Sequence, residues 1–127
     1  MTVRAFPDET AKLIVDSAFT IHRSLGPGLL ESVYETCLAH ELTKRGAEVL
    51  RQLALPVHYD GLRLEGGFRL DLLVNNVVVI EVKAVERMEP IFQAQLLTYL
   101  RLSGKSLGLL INFNVPRIKD GIKRLVI

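Results

Sequence analysis

The stretch that decides the fold is residues 76–86, NVVVIEVKAVE. It begins with the β-branched run Val77–Ile80, which is typical of a strand buried in a core. Glu81 and Lys83 then follow, one residue apart. Because side chains alternate along a strand, both charged groups share one face and Val82 lies on the other. Either the end of this strand reaches solvent and is charged for that reason, or the pair belongs to a reaction site.

The preceding predicted strand also carries an acid, Asp71, inside the apolar run FRLDLLV. The connection between the two strands decides which residue this acid opposes. A two-residue turn at 75–76 would oppose Asp71 to Ile80. A three-residue loop at 75–77, or a β-bulge, would oppose Asp71 to Glu81, with the bases of the side chains about 5 Å apart. A shared site therefore requires the longer loop or a bulge.

Two carboxylates placed opposite each other destabilise a sheet unless a cation lies between them. Lys83 is one candidate for that cation, and a divalent metal ion is the other. Carboxylates, water and phosphate oxygens are the ligands that Mg²⁺ or Mn²⁺ prefers. The residues alone leave both candidates open.

The periodicity of the whole chain predicts two helices, three strands, a third helix, a strand and a short tail strand. This order indicates an α/β (α+β) fold with a mixed sheet flanked by helices, in one domain over residues 1–127. Pro56 predicts an edge strand or a bend, and Gly66 with Gly67 predicts a kink. The predicted segments are a helix at 8–25, a helix at 29–45, strands at 48–59, 62–74 and 76–86, a helix at 90–103, a strand at 106–115 and a tail strand within 117–127.

Composition narrows the function classes without naming one. The formal net charge of +2 is weak evidence for a polyanionic partner. Cys37 is the one cysteine, so neither an intramolecular disulfide nor a cysteine-based zinc cluster is expected. The N-terminus lacks an apolar signal core, and no apolar run reaches about 18 residues. We expect a cytoplasmic protein without a membrane partner.

Two pairs on the predicted helices accompany the charged strands. Gln95 and Tyr99 are four residues apart, and Glu31 and Tyr34 are three residues apart, so each pair shares one helix face. Either pair alone is typical of the boundary of an amphipathic helix.

Five motifs follow one another in the order and at the spacing of a known family. They are GPGLLESVY, with Gly28, Glu31 and Tyr34 at three-residue intervals, and then LEGGFRLDLLV, IEVKAVE, QAQLLTYL and GLLINFNV with the KDGIKR that follows it. Together they resemble the PD-(D/E)XK nuclease superfamily, in its RecB-like and Holliday-junction-resolvase-like branches, and within it the GxxExxY protein family. The resemblance covers residues 10–126 and implies a restriction-endonuclease-like core of α-β-β-β-α-β order.

The resemblance also implies roles for the charged residues. Asp71 and Glu81 would hold Mg²⁺ or Mn²⁺, and Glu31 would complete the metal shell or position the lysine. Lys83 would orient the attacking water or stabilise charge on the phosphate. These four residues form the expected catalytic set.

The same resemblance implies contacts with the substrate. Gln95 and Tyr99 match a helix motif that lines the site and touches nucleic acid, and Tyr34 is grouped with them as substrate-binding. The expected activity is metal-dependent hydrolysis of DNA phosphodiester bonds. The alternative is a non-catalytic module that binds nucleic acid or a partner and retains the nuclease fold. Because nucleases this small often dimerise or borrow specificity, a homodimer or a protein partner is a further expectation.

Overall fold

A computed structural model describes residues 6–127, in which three α-helices and five strands follow one another in the predicted order. The elements are α1 Pro7–Leu25, α2 Glu31–Lys44, β1 Val49–Tyr59, β2 Leu62–Val74, β3 Val78–Lys83, α3 Pro90–Ser103, β4 Leu107–Asn112 and β5 Ile122–Val126, with a 3-10 turn at Ile118–Gly121 before β5. No helix in this range is long and apolar enough to cross a membrane.

The five strands form one mixed sheet in the order β1-β2-β3-β4-β5. Neighbouring strands are antiparallel except for β3 and β4, which are parallel and are joined through α3. A parallel pair needs such a crossover, because its strands run the same way. Since strands of this kind are covered on both faces, β3 and β4 are almost continuously buried. The β-branched run 77–80 is therefore explained by the central position of β3.

The helices cover the two faces of the sheet unequally. α1 and α2 pack on one face, where Ile14 and Leu38 meet Ile80 and Val82 of β3. α3 packs on the other face, where buried side chains of the helix meet Leu70, Leu73, Val79 and Leu110. The observed layers confirm the predicted mixed sheet flanked by helices.

The helix ends follow from local chemistry. α1 begins at Pro7, where a missing N–H loses no hydrogen bond, and has Asp8 and Glu9 in its positive first turn. α3 likewise begins at a proline, and it ends at Gly104 in the left-handed conformation that glycine adopts without a steric penalty.

The connection between β2 and β3 is a three-residue loop. Val74 pairs with Val78, so residues 75–77 form the loop, and Asn75 and Asn76 adopt positive φ angles of 51° and 59°. Asparagine tolerates this conformation better than most residues. The longer of the two predicted connections is therefore the one that forms, and the register opposes Asp71 to Glu81.

The hairpin of β1 and β2 contains the predicted irregularity. β1 is an edge strand, and its register against β2 shifts between Leu55 and Val57, next to Pro56. On the opposite strand two extra residues are accommodated around Gly66, which has a φ of 63°. Both predictions, an edge strand with Pro56 and a kink at the glycine pair, are confirmed.

Tyr34 lies in the core, which corrects the expectation that it contacts substrate. Its side chain is fully buried and its ring stacks on Phe113 at a centroid distance of 4.6 Å. Its hydroxyl donates to the Gly26 carbonyl at 2.6 Å and accepts from the Leu29 N–H at 3.1 Å. Tyr34 therefore fixes the loop between α1 and α2, and with it the start of α2.

Replacing Tyr34 by phenylalanine should destabilise the fold. Tyr34→Phe keeps the stacked ring but leaves a carbonyl and an N–H without their buried partner, which costs about 1–3 kcal/mol. The measurement is the free energy of unfolding in urea. Tyr59→Phe is the matched control, because Tyr59 is 70% exposed. Equal stability of the two variants would contradict this role of the Tyr34 hydroxyl.

Candidate active site

The candidate site lies where the backbone pairing between β2 and β3 stops. Pairing runs from Val74 and Val78 to Leu72 and Ile80. One position further on, side chains replace backbone groups as partners. Asp71 Oδ2 accepts a hydrogen bond of 2.9 Å from the Val82 N–H, and the Asp71 N–H donates a longer one of 3.4 Å to Glu81 Oε1. Asp71 thus contacts the Glu81 side chain through its own N–H and the Val82 backbone through its carboxylate, at the level where the register opposes the two acids.

At Asp71, the alternation of side chains along β2 is interrupted, so the residues on either side of it pack on opposite faces of the sheet. Leu70 packs with the cluster under α3, whereas Leu72 packs with the cluster under α1 and α2. In a regular strand these two side chains would share a face. The opposite position on β1, Gln52, has a φ of 49°, so both strands are irregular at the same level. The irregularity separates Asp71 from both cores and directs its carboxylate towards β3.

Glu81 is a buried acid with an unusual protonation equilibrium. Its side chain sits on the central strand, and the residue is 4% exposed. Burial, and then the nearby carboxylate of Asp71, raise the pKa of Glu81 to about 9, although the charge of Lys83 opposes the shift. Without a further cation, Glu81 is therefore protonated at neutral pH.

Lys83 is the last residue of β3, and its side chain lies on the same face of the strand as that of Glu81. The Lys83 Nζ lies 4.5 Å from the centroid of the Phe92 ring, within the range of a cation–π contact. Phe92 belongs to the first turn of α3, so this helix fixes the lysine from the side. Burial raises the pKa of both Glu81 and Glu31, and the positive charge of Lys83 opposes both shifts.

The start of α2 contributes two further acids. The pKa of Glu31 lies above its ordinary value, because burial and the charges of Asp71 and Glu35 raise it more than the charge of Lys83 lowers it. Glu35 lies one turn later and is buried, with Arg51 donating to its Oε2 at 3.1 Å. The helix whose start Tyr34 fixes therefore faces the carboxylates of the sheet.

The predicted pair on α3 reaches the site from the other face. Gln95 donates a hydrogen bond of 2.9 Å to the Tyr99 hydroxyl, and the Tyr99 ring packs on Phe68. Burial, and then the charge of Glu81, raise the pKa of Tyr99. Gln95 and Tyr99 thus lie beside the acids, whereas their contact with substrate stays a prediction.

Three residues that belong to this constellation were missed in the sequence. Glu35 follows Glu31 by four residues, so helical spacing was a signal that could have identified it. Phe92 has no sequence signal beyond its place near the start of α3. Gln52 became a neighbour of Asp71 only through the bulge around Gly66, which changes the register of the hairpin.

The donor chemistry fits a hard divalent cation, although it does not form a closed ligand set. Within residues 6–127, no group of three or more His, Cys, Asp or Glu side chains is arranged to hold a metal ion. Glu31 is therefore not joined to Asp71 and Glu81 in such a group. Mg²⁺ often binds through one or two carboxylates and keeps water or phosphate as its other ligands. Asp71 and the buried Glu81 are two such carboxyl groups, so the residues present fit a cation that is bound in this way.

The fold and the charged strands define a class of α+β domain with paired acids and a lysine on adjacent central strands. The chain belongs to the PD-(D/E)XK nuclease superfamily, whose family model matches residues 8–125. Searches of curated proteins and of solved structures found no significant match. The five-stranded mixed sheet with three helices is consistent with the restriction-endonuclease-like fold. Membership suggests a nuclease with a nucleic acid substrate, and nucleases of this superfamily generally use divalent metals.

The raised pKa of Glu81 predicts a pH dependence of stability in the metal-free protein. Between the ordinary value of 4.5 and about 9, the folded chain keeps a proton that the unfolded chain releases. Stability should therefore fall as pH rises through this window, by at most about 1.4 kcal/mol per pH unit. Urea denaturation with EDTA at pH 5 to 8 measures the slope.

Substitution of Glu81 isolates its share of that slope. Glu81→Gln removes the titrating group at nearly constant shape, so its stability should depend less on pH than that of the wild type. Glu86→Gln is the matched control, because Glu86 is exposed. Parallel pH curves for wild type and Glu81→Gln would refute the assignment of a protonated Glu81.

Proposed function

We propose that the chain is a metal-dependent nuclease that hydrolyses DNA phosphodiester bonds. One observation carries the proposal: where the β2–β3 backbone pairing stops, the Asp71 N–H donates to Glu81 Oε1 and Asp71 Oδ2 accepts from the Val82 N–H, and β3 ends at Lys83. Superfamily membership supports the same chemistry. A buried acid with a pKa of about 9 is unfavourable in a purely structural strand, and it is the kind of group that active sites retain.

Asp71 and Glu81 would hold the metal ion, Mg²⁺ or Mn²⁺, through hard oxygen donors. A bound divalent ion supplies positive charge that acidifies water and polarises the phosphoryl oxygen. Its charge also favours the ionised form of Glu81, which burial otherwise suppresses. Glu31, on whose pKa the charge of Lys83 acts, would complete the shell or hold the lysine in place.

Lys83 would stabilise negative charge on the phosphate. A fixed ammonium is effective where charge develops in the transition state, because it needs little reorganisation there. Contact with the Phe92 ring limits the freedom of the flexible lysine side chain without neutralising it. Gln95 and Tyr99, on the same helix as Phe92, would contact the nucleic acid from that side.

We further propose a subfamily, a location and an assembly. The order and spacing of GPGLLESVY, IEVKAVE and QAQLLTYL support a place in the GxxExxY family. The absence of a membrane-crossing helix in residues 6–127 agrees with a cytoplasmic location. A homodimer or a protein partner would extend the contact of so short a chain with DNA.

The proposal predicts metal-dependent cleavage that depends on the charged strands. Labelled linear, branched and single-stranded DNA should be cut by the wild type with Mg²⁺ or Mn²⁺ but not with EDTA. Glu81→Gln and Lys83→Met should each lower kcat by at least about 100-fold, as loss of a transition-state electrostatic contact does. Lys12→Met, in an exposed ion pair on α1, is the matched control and should cut normally.

The possible outcomes separate the two functions that the sequence left open. If both Glu81→Gln and Lys83→Met still cleave DNA, the assignment of the site is wrong. A wild type that binds DNA, but neither cuts any substrate nor binds Mn²⁺ in calorimetry, would instead be the non-catalytic binding module.

The contact between Phe92 and Lys83 predicts a smaller effect of its own. Phe92→Leu removes the ring beside the ammonium, and loss of a cation–π contact worth about 1 kcal/mol should lower kcat roughly 5-fold. Phe92→Tyr keeps the ring and should retain most of the activity. The measurement is kcat and KM at a temperature where both variants are folded. Equal kcat values for both variants would show that the ring does not help Lys83.

A further inference from the structure

The backbone of Gln52 has a conformation that its place in the sheet does not explain. Among the non-glycine residues of the described range, positive φ angles occur at Gln52, Asp60, Asn75 and Asn76. The last three lie in the two hairpin turns, where such angles are needed. Gln52 lies inside β1, and glutamine rarely adopts this conformation. Such departures persist where other contacts hold them, and they concentrate at functional sites.

The side chain of Gln52 joins two carboxylates. Its Nε2 donates to Glu35 Oε1 at 2.5 Å and makes a longer contact of 3.4 Å with Asp71 Oδ1. Glu35 is buried and also accepts from Arg51, so it is a fixed anchor rather than a mobile surface group. The amide of Gln52 therefore bridges a fixed acid on α2 and the candidate metal ligand on β2.

The two oxygens of Asp71 are held from opposite sides. Oδ1 faces the amide of Gln52, and Oδ2 accepts from the Val82 N–H. A carboxylate held at both oxygens has a defined orientation before any ligand arrives. Because the amide is neutral, it orients Asp71 without cancelling the negative charge that a cation requires. A lysine or arginine at this position would compete with that cation.

We infer that Gln52 is a positioning residue that orients the Asp71 carboxylate for the divalent cation, and that its left-handed backbone is the conformation which brings its amide there. The inference rests on the proposed function, because it assigns Gln52 a purpose only if Asp71 binds a cation. Gln52 acts through Asp71 and does not itself touch the reacting atoms.

Two substitutions separate this role from a structural one. Gln52→Met keeps the length of the side chain and the positive φ but removes the hydrogen-bond donors. Gln52→Gly removes the side chain and also relieves the backbone conformation, so its Tm should stay near that of the wild type or rise. Both variants should bind Mn²⁺ about 10- to 100-fold more weakly, the usual loss when a partner of a metal ligand is removed.

The matched control is Asp60→Gly. Asp60 has nearly the same positive φ, 48°, but lies at the tip of the β1–β2 hairpin. The substitution Asp60→Gly relieves a similar backbone conformation away from the carboxylates, so the Mn²⁺ affinity of this variant should equal that of the wild type.

A second readout needs neither metal nor DNA. In the metal-free protein, the amide proton of Val82 reports on the hydrogen bond to Asp71 Oδ2. Its NMR signal should move upfield in Gln52→Met and Gln52→Gly, and it should stay in place in Asp60→Gly. Loss of Mn²⁺ affinity that follows a fall in Tm, with an unchanged Val82 signal, would show that Gln52 is merely structural.

Failure of the inference is distinguishable from failure of the proposed function. If the wild type binds Mn²⁺ and cuts DNA, and both Gln52 variants do so equally well, the positioning role alone is overturned. A wild type that neither binds Mn²⁺ nor cuts DNA overturns the nuclease and with it the purpose assigned to Gln52. A shifted Val82 signal would then still establish that Gln52 orients Asp71.

Discussion

The hydrogen bond from the Val82 N–H to Asp71 Oδ2 is the interaction on which the site depends. It occupies a position at which a regular antiparallel ladder would use a backbone carbonyl. Because the partner is a carboxylate, the last part of β3 stays attached to β2 while the two acids are brought together.

Burial determines the electrostatics of the site. β3 is covered on both faces, so Glu81 cannot be solvated as a surface acid would be, and its charged form is disfavoured. Lys83, the last residue of β3, is half-buried, and its Nζ lies over the Phe92 ring. Side chains alternate along β3, so Ile80 and Val82 are buried under α1 and α2. The carboxyl group of Glu81 and the ammonium group of Lys83 therefore lie on the opposite side of the strand.

Sequence reasoning predicted the parts of this arrangement that depend on local chemistry. The order of elements followed from periodicity, and the three-residue loop was one of the two connections that the asparagine pair allowed. The partner of Asp71 on β1 could not be predicted. Continuing the register from the Asp60–Gly61 turn would oppose Asp71 to Leu50, whereas the two extra residues around Gly66 bring Gln52 there. The prediction that Tyr34 contacts substrate was wrong, because the spacing of three residues from Glu31 is equally compatible with a side chain in the core and with one in the site.

The proton on Glu81 and a divalent cation are alternative ways to offset the same excess of negative charge. In the described part of the chain, Lys83 acts on the carboxyl groups of Glu31 and Glu81, and Arg51 pairs with Glu35, whereas Asp71 has neutral hydrogen-bond donors. Arg51 is paired with Glu35, and Gln52 adds hydrogen bonds without adding charge. Neutral donors around Asp71 thus leave the remaining charge to be offset by a ligand. The proposed cation would then resemble Mg²⁺ sites that use one or two carboxylates and take their other ligands from water or substrate phosphates.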